Sequence, residues 1–429
     1  MRATSPLWVS LSRTVRNSTS NDVSRNTILL TLSSLATGFG TLLFWFLSAY
    51  IYPPSVVGIA SAGISAIFLL AGFSHLSLGM GLVRYTNSLG PQRIQRITAI
   101  FIVTGIIAAI AGGIYSTVFS QFGPKLSPLF STPWDISLFV FSCIAYTLSL
   151  QYDSYLMSRQ LFFLILVKNI AIVIIRLALL CLLPNLSIPK LVGIFGVSAA
   201  IGLVAILLVV VRYPRYDRNA TGVNVSFGKV VSFSLWNHLV GLATTTLPLA
   251  MPTIVINILD STQAAAFYMS WSMFSVLLLL PVAFSTAIFV ERANISSHSP
   301  VREVFTQRQT DLIMTSITLL ALPVITLALF LLGPTYIRHG FVVLLILVFS
   351  VLPNKRLTLL IAELRIIGSQ KSLATACVVS QIIAIGGSIP FAHVIGIAGA
   401  ACSWTLGQYL LFLWLTWLRK RTHACHSSA

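Results

Sequence analysis

Charge is what this 429-residue sequence has least of, since Asp, Glu, Lys and Arg make up only 8% of it. A soluble domain carries roughly 25%, so a chain with a third of that cannot clothe a water-facing surface. Its solvent must be mostly lipid. Acid is the scarcer sign, with 9 Asp+Glu against 27 Lys+Arg and a net charge of +18. In a soluble protein that excess would point to nucleic acid. Here nucleic acid is not called for, because the cytoplasmic loops of membrane proteins collect Lys and Arg.

Other absences exclude further classes. The five cysteines (Cys143, Cys181, Cys377, Cys402, Cys425) are scattered without a CxxC pair, which argues against a disulfide framework. His423-Ala424-Cys425-His426 lacks partners for a metal site. No GxxxxGK[ST], HExxH or GxSxG occurs, so ATP-driven or hydrolytic work is not expected. The outer loops are short, the longest near 120–133, and nearly bare of titratable groups. An enzyme is therefore not the reading, and no cofactor is called for. Residues 1–25 hold Arg2, Arg13, Arg16 and Arg25 but no apolar stretch before a small-residue cleavage site, so no removable signal peptide is expected.

What is present is apolar: 56% hydrophobic residues and a mean hydropathy of +0.92. About 20 apolar residues cross a hydrocarbon core as a helix. Runs of that kind lie near 27–50, 55–82, 97–119, 134–157, 161–183, 189–211, 231–257, 262–289, 311–332, 340–364, 371–393 and 395–418. They are too long and continuous for barrel strands. The segments before, between and after the runs alternate in charge. One side carries 20 Lys and Arg, including Arg84, Arg93, Arg96, Arg159, Arg212 and Arg292; the other carries 3, Lys125, Lys190 and Arg338. One miscounted helix would invert the alternation downstream. The expectation is an all-α integral membrane protein of about twelve transmembrane helices in a cytoplasmic (inner) membrane, with both termini cytoplasmic.

The longest mid-chain polar stretch divides six runs from six. The expected units are a tail, 1–26; an N-terminal six-helix lobe, 27–212; a linker, 213–230; a C-terminal six-helix lobe, 231–418; and a tail, 419–429. The halves echo each other, with Gly58 to Arg84 matching Ala265 to Arg292 at an offset of 207 to 208. Six is even, so such a repeat is parallel, and transporters built on repeats bind substrate between them.

Several short motifs carry a family likeness: Arg25-Asn26 opening the first run, Tyr52-Pro53-Pro54-Ser55-Val56-Val57-Gly58, and Leu78-Gly79-Met80-Gly81-Leu82-Val83-Arg84. In the second half stand Leu332-Gly333-Pro334-Thr335-Tyr336 and Ile367-Gly368-Ser369-Gln370-Lys371. With these the sequence resembles the polysaccharide (lipid-linked oligosaccharide) flippases of the multidrug/oligosaccharidyl-lipid/polysaccharide exporter superfamily. The resemblance implies two lobes around a central cavity and a polyprenyl-pyrophosphate-linked glycan as cargo, moved to the outer leaflet by alternating access for cell-surface polysaccharide synthesis. It also implies glycosyltransferases and a glycan polymerase as partners.

Ionisable residues inside spans are costly and are functional candidates by default. Lys168, Asn169 and Arg176 fall in the fifth run; Asn169 and Arg176 share a face, and Lys168 lies about 80° from Arg176. They either line a cavity, pair with acids for packing, or snorkel. Lys355 and Arg356 follow Pro353 in the tenth run, where the proline is expected to kink the helix. His238 sits in the seventh run, whose Pro248 and Pro252 imply a broken helix. These six residues are the substrate-binding candidates, and Asp153 and Glu363 are the candidates for ion coupling. The alternative reading is a cation-coupled multidrug-type exporter of the same superfamily. It would want carboxylates deep in the first three runs, and those have none.

Overall fold

The computed structural model describes residues 19–85, 93–183, 185–212, 227–294, 307–367 and 370–427. Every regular element among them is helical. The first half comprises α1 (Thr19–Ile51), α2 (Pro54–Ser74), α3 (Leu78–Tyr85), α4 (Arg93–Phe122), α5 (Pro133–Ser158), α6 (Phe162–Leu182) and α7 (Ile188–Arg212). The second comprises α8 (Phe227–Gly241), α9 (Met251–Ile258), α10 (Ser261–Asn294), α11 (Gln307–Leu331), α12 (Pro334–Phe349), α13 (Val351–Ile367), α14 (Gln370–Ile395) and α15 (Ile397–Ser427). Each of the twelve apolar runs falls on one helix or on a broken pair. Nine described helical segments are long and apolar enough to span a bilayer, and α12 with α13 makes a tenth if the bent pair is one span. The helices outrun the apolar boundaries: α1 begins at Thr19 rather than 27, α8 at Phe227 rather than 231, and α15 reaches Ser427 rather than stopping at 418. Residues 1–18 of the expected tail, and 213–226 of the linker, lie outside the described residues.

Local chemistry sets the starts and breaks. Proline opens α2, α5 and α12, where its missing N–H costs nothing and its fixed φ suits the first turn. Asp135 closes a capping box at the start of α5, accepting from the Thr132 backbone N–H at 3.0 Å while Thr132 Oγ1 accepts from the Asp135 N–H at 3.2 Å. Pro353 acts one turn upstream of itself. It cannot donate to the Phe349 carbonyl, the rod bends by 44° between α12 and α13, and the Tyr409 hydroxyl of α15 donates to that carbonyl at 3.2 Å.

Within the first half α1 packs on α6, α4 on α5, and α7 on α5 and α6; within the second α10 packs on α12 and α13, and α14 on α15. Across the halves α1 and α2 meet α10, α2 meets α9 and the turns at 242–250, and α3 meets α8. The largest buried cluster runs across this seam, joining Phe44, Trp45 and Phe195 to Phe267, Tyr268 and Phe274. Glycine makes the closest approach possible, because a Cβ on Gly58 would collide with the carbonyl of Ser261. Outward-facing ridges are apolar. Ile102, Ile106, Ile110 and Ile114 repeat every four residues along α4 and are 53% to 59% exposed, a stripe that water would not tolerate and lipid would.

Candidate functional site

The fifth run folds as α6, and its buried residues are Ile165, Lys168, Ile172, Arg176 and Leu180. That spacing of three and four is one helix face. The two cations therefore lie on the inward stripe, 2% and 4% exposed, and neither points at acyl chains. Lys168 Nζ forms an ion pair with Asp153 Oδ1 of α5 at 2.9 Å. It also donates to Ser149 Oγ at 2.7 Å and to the Ser149 carbonyl at 3.3 Å. Asp153 thus partners Lys168, not the neighbouring Arg159. Asn169 turns to α1 and donates to Ser33 Oγ at 2.8 Å. An ammonium so enclosed has a counter-charge and two acceptors at hand, which is what makes burial tolerable.

Arg176 is held differently. Its guanidinium lies 3.7 Å from the centroid of Phe195 on α7, a cation–π geometry. Nη1 donates to Thr41 Oγ1 of α1 at 3.3 Å, and Nε is buried without a hydrogen-bond partner. No carboxylate is paired with it among the described salt bridges. Around it the rings form a continuous set. Phe195 meets Phe44 at 4.9 Å and Phe68 at 5.6 Å, Phe68 stacks on Tyr146 at 4.6 Å, and Trp45 meets Tyr268 of the second half at 4.8 Å. The guanidinium therefore sits at the seam, one ring layer behind Phe68 and Tyr146.

Those two rings face a cavity of about 250 Å³ between the halves, which is also lined by His75, Ser77, His238, Thr245 and Thr246. Broken helix builds both of its walls. On one side α2 ends before the turn 75–77, where Leu76 and Ser77 adopt φ of 50° and 44°, a left-handed conformation uncommon outside glycine. On the other, α8 gives way to a π-turn over Leu242–Thr246 and a 3-10 turn over Leu247–Ala250 before α9. Pro248 and Pro252 explain this, since each removes one donor from the ladder. Thr244 and Thr245 back-bond to the carbonyls of Val240 and Gly241 at 2.8 and 2.7 Å, and a π-turn of this kind is common at functional sites. Gly72 makes room for Thr246, whose side chain a Cβ would strike. Across the cavity mouth Ser77 Oγ lies 3.4 Å from His238 Nδ1, and His75 Nε2 is buried without a partner.

The other candidates lie elsewhere. Lys355 on α13 donates to Thr315 Oγ1 of α11 at 3.1 Å, half-buried, and Arg356 is on the exposed face. Glu363 accepts from Arg419 Nε of α15 at 3.1 Å, with side chains 23% and 44% exposed. None of these three lines the seam cavity. Sequence reasoning passed over His75, Ser77 and Tyr146. The signal for the first two was the polar interruption Ser74-His75-Leu76-Ser77 in an otherwise apolar run; nothing marked Tyr146. No group of three His, Cys, Asp or Glu among the described residues could hold a metal ion.

No family model and no curated protein matches the sequence. Solved structures match the fold. A MATE structure in complex with MaD3S superposes with a TM-score of 0.58 at 11% identity, covering 96% of this chain and 98% of that one. The outward-facing conformation of a multidrug resistance MATE family transporter of the MOP superfamily gives 0.58 at 11%, covering 97% and 98%. The Vibrio cholerae MATE transporter VcmN in the bent form gives 0.55 at 14%, covering 94% and 98%. An inward-facing conformation from the MOP superfamily matches equally well, at 0.58 and 13% over 93% and 96%. The chain is similar in fold to this group along its whole length.

Proposed function

We propose that this chain is a membrane transporter of the MOP type, twelve spans with both ends on the arginine-rich side, working by alternating access of two halves about the seam. The whole-length likeness to transporters solved facing inward and facing outward supports that much. Parting the halves would separate Trp45 from Tyr268 and bring the guanidinium of Arg176 within reach of the cavity.

For the cargo, the residues favour an amphiphile with an anionic head, of the polyprenyl-pyrophosphate-linked oligosaccharide class. One observation carries this: at the seam a buried guanidinium keeps an unused donor and no paired acid, while Asp153 on the neighbouring α5 is already matched by Lys168. Arginine recognises phosphate oxygens through charge-assisted hydrogen bonds. The comparisons lend the glycan lipid no support of their own. They fit a cation-coupled multidrug exporter better, because the neighbours are multidrug transporters by name, and Asp153 would then be the coupling acid.

Proteoliposomes loaded with a fluorescent polyprenyl-pyrophosphate oligosaccharide, and separately with a cationic dye under a proton or sodium gradient, tell the two apart. The expected result is translocation of the glycolipid, lost in Arg176→Met and partly kept in Arg176→Lys. Gradient-driven dye export without glycolipid movement would establish the multidrug reading instead.

A further inference from the structure

Lys125 is one of only three cations on the arginine-poor side. It sits in the turn between α4 and α5, and that turn is firmly seated: Leu126, Leu129 and Phe130 are buried in the core, against α2, α4 and α7. From this first-half platform its ammonium crosses to the second half. There it donates to the carbonyl of Asn257 at 3.2 Å and to the carbonyl of Leu259. Both acceptors close α9, whose last carbonyls have no intrahelical donor and carry the negative end of the helix dipole. Asp260 in the same turn does not compete, since its carboxylate accepts from the backbone and side chain of Gln263.

We infer that Lys125 is a gate latch, a positioning residue that holds the arginine-poor end of the seam shut by capping α9 from the opposite half. The inference rests on the alternating-access reading and adds to it a named contact at one gate. Neighbouring contacts at the same end are apolar or steric, such as Gly58 against Ser261 and Trp45 against Tyr268, and these would separate with little directional preference. The ammonium supplies direction, since its two acceptors are within its reach only while the halves are closed. The latch biases and does not lock, because Lys125 is partly exposed and water replaces its partners on opening.

The test uses single reporter cysteines in full-length protein in nanodiscs, in a background with the five native cysteines replaced. Ser261→Cys reports the arginine-poor end and Thr245→Cys the cavity on the other side, each through its rate of reaction with a hydrophilic maleimide. Lys125→Met keeps the aliphatic stem and removes the donors. It should speed labelling at 261 by about tenfold, the size of one charge-assisted hydrogen bond lost in one state only. It should also slow labelling at 245, while Lys125→Arg stays near the parent at both. A merely structural role would raise both rates together, and that outcome, or no change at either, overturns the latch. Gly58→Ala wedges the same end apart without touching Lys125. If it gives the reciprocal pattern and Lys125→Met does not, the latch fails and alternating access stands; if neither does, both fail.

Discussion

The two halves hold their internal charges in opposite ways. In the first, Lys168 and Asp153 are paired almost out of reach of any solvent, walled by Ser149, with Asn169 and Ser33 alongside. In the second, Glu363 and Arg419 meet in partial exposure, and Lys355 uses a hydroxyl of the neighbouring helix. Removing a charge from water costs several kcal/mol per ion unless a partner stands close and the remaining donors are satisfied. At Lys168 the first half comes close to that condition, with Asp153 and Ser149 of α5 gathered around the ammonium of α6. The second has avoided it by keeping its charges where headgroups and water can reach. The seam therefore separates a half with a buried ion pair from one whose described ion pair is partly exposed.

This contrast predicts its largest effect at the buried pair. Asp153→Asn or Lys168→Met leaves one charge enclosed without a counter-charge and should cost about 3–5 kcal/mol of stability. Thermal unfolding in nanodiscs measures it. The double variant Asp153→Asn/Lys168→Met should lose less than the two singles together, since no orphan charge remains. Additive losses would mean that the pair acts through packing alone, and the contrast between halves would lose its physical basis.

Much of the helical architecture was legible because lipid imposes simple rules: run length, and the proline logic of Pro248 and Pro252. The pairing of Lys168 with Asp153 was not legible in that way. The two lie on consecutive helices, and which faces of α5 and α6 meet depends on packing that no periodicity records. The 80° offset between Lys168 and Arg176 hid a second fact. A buried stripe stepping by three and four drifts around the helix, so Ile165, Lys168, Ile172, Arg176 and Leu180 share one inward face. For α13 the sequence named Lys355 and Arg356 without fixing their direction, and past the bend at α12–α13 one meets α11 while the other is on the exposed face. His75 and Ser77 were missed because the run 55–82 was read straight through, whereas the helix breaks there. Gly58 and Ala265, which match at an offset of 207 in the sequence, lie side by side: a Cβ on Gly58 would be 3.2 Å from the Ala265 nitrogen.

A smaller effect is expected where the second half repairs a proline. Tyr409→Phe removes the hydroxyl that serves the Phe349 carbonyl, leaving it without a donor in a setting where lipid offers none. The expected cost is about 1 kcal/mol. Pro353→Ala restores a backbone N–H one turn below that carbonyl, so Tyr409→Phe should cost less in that background. An equal cost in both backgrounds would show that the bend, and not the missing donor, sets the role of Tyr409.

The smallest effect belongs to Glu363→Gln. Arg419 reaches it through an Nε contact at 3.1 Å, and both side chains are partly exposed. Pairs of that kind are worth about 0–1 kcal/mol, and glutamine retains an oxygen that can accept from the same Nε–H. Unfolding should therefore shift by about 0.5 kcal/mol or less, and glycolipid or dye transport should be unchanged. The variant is the sharpest test of the contrast because it asks for almost nothing. If Glu363→Gln matched Asp153→Asn in stability, the second half would have to bury its charge when assembled in the bilayer. If it abolished transport at full stability, the coupling acid would sit in the second half, on α13 facing α15, rather than beside Lys168.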